Sequence, residues 1–326
     1  MIEILLKEWI ERVKYYIHLI ADYSIKESQV GAVLDDVLNL SGKMLRSKLL
    51  LLCAFLGSNW KNNKEKICKL AAMVELTHLA SLIHDDIVDD SPYRRGKVSI
   101  QGKYGKDAAV FAGDFLMARI FYYGAVENLN EAVSILSKTV EYMCIGEIEQ
   151  DLCRYQEDIS EKKYFENIER KTAALFQAAS YIGAKESGCS EEIIQKLELF
   201  VKNLGLMFQL KDDILDFTSN SKELGKETHK DFQNGIYTFP VIMALKNLKA
   251  KEVLLPIMRK NKEEKLSLAE ILQLQNYIIQ FGGIEASYEK IKYLSNINRQ
   301  LIKELGQNSK ITVYLEKILN DLEVEN

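Results

Sequence analysis

Apolar residues recur at helical spacing along almost the whole chain, and only three prolines and 17 glycines interrupt its 326 residues. So little punctuation rules out the many turns of a strand-rich fold. Helical patterns run over about 3–22, 27–38, 43–57, 62–90, 106–127, 130–154, 161–185, 190–218 and 237–249, with shorter pieces up to about 323. Turn signals such as those at Ser41, Tyr104 and Phe281 separate them. Strand-type alternation is almost absent. The pattern predicts an all-α fold: one domain over residues 1–326, a single large helical bundle with a central cavity between core helices.

Charge and cysteine usage exclude several classes. The formal net charge is −4 and Lys and Arg are spread along the chain, so no nucleic-acid surface is expected. The five cysteines, Cys53, Cys68, Cys144, Cys153 and Cys189, include no CxxC pair. They read as reduced, mostly buried thiols of a cytoplasmic protein, not as a disulfide frame or zinc site. The first helix carries Lys7, Glu8, Glu11, Arg12 and Lys14 between its apolar positions, which is no signal-peptide core. The densest apolar run, eight residues from Leu49, is too short to cross a bilayer, so no transmembrane segment is expected.

The chemistry lies in two acidic clusters. In "SLIHDDIVDDSPYRRG", from Ser81, four carboxylates fall within six residues at the end of a helix that otherwise reads as core. Leu76, Leu79, Ala80 and Ile83 form the apolar face; His78, Ser81, Asp85 and Asp89 share a second face, with Asp86 about 100° round from Asp85. The same signature, DDI[V/L]D, returns 127 positions later in "LGLMFQLKDDILDF". There the stripe Ile194, Leu197, Val201, Leu204 and Phe208 continues to Lys211, Asp212 and Leu215. It predicts that Asp212 turns inward, flanked by Gln209, Asp213 and Asp216. A carboxylate where the period demands an apolar residue needs compensation.

If the two helices face each other, six carboxylates line one cavity, and their repulsion destabilises the fold unless cations intervene. Hard oxygen donors without a His/Cys set select Mg²⁺, several ions per site, each taking one or two carboxylates plus water and phosphate oxygens. Arg94 and Arg95 add bidentate phosphate contacts. The clusters read as half of a metal–diphosphate clamp.

These stretches carry a family resemblance. "HDDIVDDSPYRRG" and "QLKDDILDF" resemble the first and second aspartate-rich motifs of trans-type polyprenyl diphosphate synthases. "SGKMLRSKL" from Ser41 is similar to the family's Gly-Gly-Lys-Arg-x-Arg-Pro segment. "ELTHLASLIHDD", "KTAALF" from Lys171 and "LGKETHKDFQNGIYTFP" from Leu224 follow in the family's order, over about residues 25–300. Ser41, Met44 and Ser47 depart from the family's glycine, arginine and proline, and Ile236 stands where a lysine is common.

The resemblance implies head-to-tail condensation of an allylic diphosphate with isopentenyl diphosphate. Asp85, Asp86, Asp89, Asp212, Asp213 and Asp216 would bind Mg²⁺ bridging the allylic diphosphate, which Arg94, Lys171 and Lys226 would also hold. Lys43, Arg46, His78 and Arg95 would hold isopentenyl diphosphate; Thr172 and Gln209 would line the reacting region. No side-chain nucleophile or base is evident, so the departing diphosphate is expected to take the proton. A homodimer is implied, with the interface near residues 106–154, and product release by transient membrane contact.

The helix before Asp85 would run beside the growing chain, and its ~17 residues span roughly 26 Å. Thr77, Ala80 and Ser81 put no aromatic in its first two turns, which predicts a long product. Met73, Leu76, Phe115 and Met117 are deeper stoppers or simply core. Five other readings compete: a farnesyl or geranylgeranyl synthase; a catalytic subunit needing a small regulatory partner; and a non-catalytic subunit, which would lack the aspartates. A terpene cyclase would mix Asn, Ser/Thr and Glu in its second motif. A His-Asp phosphohydrolase built on His84 and Asp85 would need more than four histidines supply.

Overall fold

The computed structural model describes residues 2–22, 28–40, 42–94, 96–218, 230–306 and 310–323. Among them the elements are helices, apart from one antiparallel ribbon, β1 (Tyr93–Arg94) paired with β2 (Lys97–Val98). The all-α expectation holds. In chain order the helices are α1 (Ile2–Ile20), α2 (Gln29–Leu38), α3 (Leu45–Ala54), α4 (Lys64–Val88), α5 (Ile100–Tyr104), α6 (Lys106–Val126), α7 (Asn130–Leu152) and α8 (Glu161–Ile168). A π-helical turn (Glu169–Ala173) follows, then α9 (Ala174–Glu186), α10 (Glu191–Thr218), α11 (Lys230–Gln233), α12 (Phe239–Ala244), α13 (Leu248–Glu263), α14 (Leu268–Gln280), α15 (Gly283–Glu304) and α16 (Lys310–Glu323).

The chain forms two compact units. The first comprises Met1–Val140, Leu175–Leu199 and Asn308–Ile311. At its centre α4 packs against α1, α3 and α6. Leu49 to Ala54 of α3 are fully buried, which is why the helix is apolar all round from Leu49 onward and not amphipathic there. Gly183 makes the contact with α3 close: a Cβ there would lie 2.2 Å from the carbonyl oxygen of Leu50. Two helices here, Lys64–Val88 and Lys106–Val126, are long and apolar enough to cross a bilayer, yet 72% of the apolar window in the first is buried within the protein. Such helices also result from burial on several sides.

The second unit comprises Glu141–Ala174, Phe200–Gln307 and Thr312–Asn326. Here α12 packs on α8, α14 and α15, and α14 on α13. Its buried side chains include Phe200, Phe217, Phe232 and Phe239. Asn203 donates to Asn298, which donates in turn to the Phe200 carbonyl, so these two buried amides are paired with each other and with the backbone.

Three expectations are corrected. The stretch read as one helix over 161–185 is broken by the π turn, which shares a helix's composition and leaves no mark in the sequence. The stretch 237–249 is a short α12, a turn, and then α13, whose N-terminus Asn247 caps through its side chain. Two of the five cysteines are buried, Cys53 and Cys68; Cys144 is exposed, and all five are free.

Candidate active site

In the first unit, α4 delivers the first acidic motif. His78, Ser81, Asp85 and Asp89 are all half-buried, consistent with one shared face, and the helix ends at Val88 with Asp89 as its C-cap. Asp86 differs. It is 3% exposed, its Oδ1 accepts from Nε of Arg94 at 2.7 Å, and its carbonyl accepts from Gln101 and from the Ser91 N–H. The ribbon thus carries Arg94 back onto the motif, and a nearly buried ion pair fixes both.

Arg46 and His78, 32 positions apart, are brought together: Nη1 of Arg46 donates to Nε2 of His78 at 2.9 Å. A guanidinium only donates, so this His78 nitrogen is the acceptor and the proton sits on Nδ1. The Arg46 guanidinium also lies 4.5 Å from the Phe176 ring centroid, a cation–π contact that holds it flat. Ser47, where the family's proline stands, is buried and gives its hydroxyl to the buried Glu75 at 2.8 Å. Lys43 is exposed, and the next residue, Met44, has φ 52. Arg95 and Lys226 lie outside the described residues, as does Ser41.

In the second unit, α10 delivers the second motif one residue out of the expected register. Asp212 is exposed and Asp213 is buried, the reverse of the expectation, and Phe208 is 40% exposed. Stepping by 3 and 4 from Ile194 follows a 3.5-residue repeat. A straight helix drifts about 20° per heptad from that repeat. After two heptads the inward positions are therefore Met207, Leu210, Asp213, Ile214 and Phe217.

Both Asp213 oxygens are engaged. Tyr164 donates to Oδ2 at 2.5 Å and the Phe239 N–H at 3.4 Å, while Nε2 of Gln209 donates to Oδ1 at 3.0 Å. Oε1 of Gln209 accepts from the Thr172 hydroxyl at 2.9 Å. Burial first, and Asp231 and Asp212 nearby, push the Asp213 carboxyl up to about 7 against these donors.

The native state therefore keeps a proton that the unfolded chain releases near pH 4. The stability this gives is complete below that pH and is lost as pH rises through about 7. Without metal, Asp213→Asn should lose less thermal stability between pH 5 and 8 than the native chain, read from melting curves at the two pH values.

Lys171 and Thr172 lie on the π turn, a feature frequent at functional sites. Acids from α7 meet it: Lys171 pairs with Glu147 at 3.0 Å, and Glu149 takes Arg170 at 2.5 Å and Lys163 at 3.0 Å. Lys163 and Arg170 hold the Glu149 carboxyl below its ordinary range. Gly146 lets α7 approach, since a Cβ there would sit 3.0 Å from the Lys171 nitrogen, and Asn167 donates to the Gly146 carbonyl at 2.8 Å. Lys163, Tyr164, Lys171, Gln209, Asp213 and Ile236 line one cavity in this unit. Tyr164, Glu147 and Glu149 are residues that sequence reasoning missed.

Among the described residues no three His, Cys, Asp or Glu side chains form a ready-made cage. Each motif instead offers an i,i+4 pair on one helix face, Asp85 with Asp89 and Asp212 with Asp216. That donor set fits Mg²⁺, which takes one or two carboxylates and completes its shell with water and phosphate oxygens.

The model of the family described as Polyprenyl synthetase matches residues 27–275. The chain is 34% identical over 265 residues to heptaprenyl diphosphate synthase component 2 of Geobacillus stearothermophilus, covering 80% of each. In fold it resembles the polyprenyl synthase of Caulobacter crescentus CB15, solved with calcium and isoprenyl diphosphate. That likeness has a TM-score of 0.88 at 28% identity and covers 99% of this chain and 96% of that one. The heptaprenyl diphosphate synthase of Staphylococcus aureus matches with a TM-score of 0.86 at 26% identity, covering 98% of both.

Proposed function

The chain belongs to the polyprenyl synthetase family, and from that premise we propose how its own residues carry the reaction. It is a prenyltransferase that joins an allylic diphosphate head to tail to isopentenyl diphosphate. The proposal assigns Mg²⁺ to the pairs Asp85/Asp89 and Asp212/Asp216. Asp86 and Asp213 act from behind, orienting the motifs through Arg94 and through Tyr164 and Gln209. One observation carries this: in both motifs the second aspartate is buried and engaged by protein donors, while the first and last are reachable.

Bound Mg²⁺ would supply neutralisation of the departing diphosphate. Arg94 and Lys171, with Lys226, add cationic donors for that group. In the structure Arg94 and Lys171 are paired with Asp86 and Glu147, so each carboxylate keeps its cation placed before substrate arrives. Arg46, set by His78 and Phe176, grips the second diphosphate together with Lys43 and Arg95. The amide of Gln209 and the hydroxyl of Thr172 face the reacting carbons. The released diphosphate takes the proton.

The product assigned is an all-trans chain on the order of six or more isoprene units, from the length of α4. Two copies are expected to associate through α6, where Phe111 is 71% and Tyr122 61% exposed, and α7, where Ile148 and Leu152 are also exposed. The name of the Geobacillus relative, component 2, supports a second reading, in which this chain needs a small partner subunit. A cytoplasmic location is proposed.

The chain purified alone and given Mg²⁺, farnesyl diphosphate and isopentenyl diphosphate should yield a long polyprenyl diphosphate on chromatography. Product only after a second protein is added favours the two-component reading. A cyclic hydrocarbon from the allylic diphosphate alone overturns the assignment.

A further inference from the structure

We propose that Tyr164 is a positioning residue for the condensation: its hydroxyl holds Asp213, and through Asp213 sets which end of the Gln209 amide faces the reacting carbons. The proposal rests on the reading that Gln209 lines the reacting region. Tyr164 is 7% exposed, and its ring is packed by Phe165 and Phe239, with centroids 5.2 and 5.4 Å away. Its hydroxyl has one acceptor among the described residues, Oδ2 of Asp213.

The direction of the chain of hydrogen bonds follows from what each group can do. Nε2 of Gln209 donates to Oδ1 of Asp213 at 3.0 Å, so the amide turns its NH₂ toward Asp213. Its carbonyl oxygen is then left for the Thr172 hydroxyl, as observed. Gln209 is half-buried and lines the same cavity as Lys171. In this orientation its Oε1, the negative end of the dipole, stands beside Thr172, ready to face carbons that become positive when the allylic diphosphate leaves. A reversed amide would present N–H there. Tyr164 guards against reversal by keeping Asp213 from turning, since the Phe239 N–H at 3.4 Å is a weak substitute.

The role separates from ordinary packing because Tyr164→Phe keeps the ring and its neighbours and removes only the hydroxyl. The test is a double-mutant cycle on kcat with Tyr164→Phe, Gln209→Ala and both together, with KM and melting temperature read for each. Tyr164→Phe should lower kcat about 10-fold to 100-fold and leave KM for both diphosphates within about twofold. In the Gln209→Ala background it should lower kcat no further. Effects that multiply, or a native kcat in Tyr164→Phe, overturn the positioning role while leaving Gln209 in place. A native rate in Gln209→Ala overturns the placement of Gln209 itself, and Tyr164 with it.

Discussion

Asp85→Asn and Asp212→Asn should each lower kcat by about 10²-fold to 10³-fold or more, the scale of removing one preorganised group that stabilises developing charge. Both side chains are reachable, and neither change opens a core. Melting temperature without metal should hold or rise, since each substitution removes one of several neighbouring like charges. Mg²⁺ with inorganic diphosphate should raise the native melting temperature by linkage and raise that of each variant less.

If both motifs serve one departing diphosphate, Asp85→Asn/Asp212→Asn should fall well short of the product of the two single effects, as groups acting as a unit do. Asp86→Asn and Asp213→Asn make the contrast, because each leaves a buried donor facing an amide. Steady-state kinetics and melting curves on the four single variants separate the two kinds of aspartate. Native kcat in Asp212→Asn would remove the second motif from the proposed chemistry.

That division within each motif was only half legible in the sequence. Periodicity put His78, Ser81, Asp85 and Asp89 on one face of α4, where all four are half-buried; the stretch is short and the helix has little room to drift. Over the longer run from Ile194 the same counting slid by one residue and exchanged Asp212 with Asp213. Arg46 and His78 were paired only by resemblance; no local pattern links residues 32 apart, and the fold joins them. Tyr164, Glu147 and Glu149 have no sequence signal, since a tyrosine or glutamate on an amphipathic helix is ordinary until its partner is known. The π turn under Lys171 was equally silent. It changes which backbone carbonyls are bonded, not which residues a helix prefers.

Substitutions above the first motif should change what is made. Ala80→Phe is expected to shorten the product to a few isoprene units, and Ser81→Phe to do the same with less damage. The two differ in their surroundings. Ala80 is fully buried, so a benzyl group there finds no room and must push its neighbours into the space the growing chain would take. Overpacking of that kind costs about 1–3 kcal/mol of stability. Ser81 is half-buried on the face that carries His78 and Asp85, and its hydroxyl is turned back to the His78 carbonyl at 2.8 Å. A ring at that position can enter the space proposed for the growing chain without repacking the core.

Thr77 is closed like Ala80, its hydroxyl bonded to the Met73 carbonyl at 2.9 Å, so Thr77→Phe should destabilise more than it redirects. Product chromatography and melting curves on the three variants rank these positions. A product of native length from both Ala80→Phe and Ser81→Phe would mean that the growing chain does not follow α4.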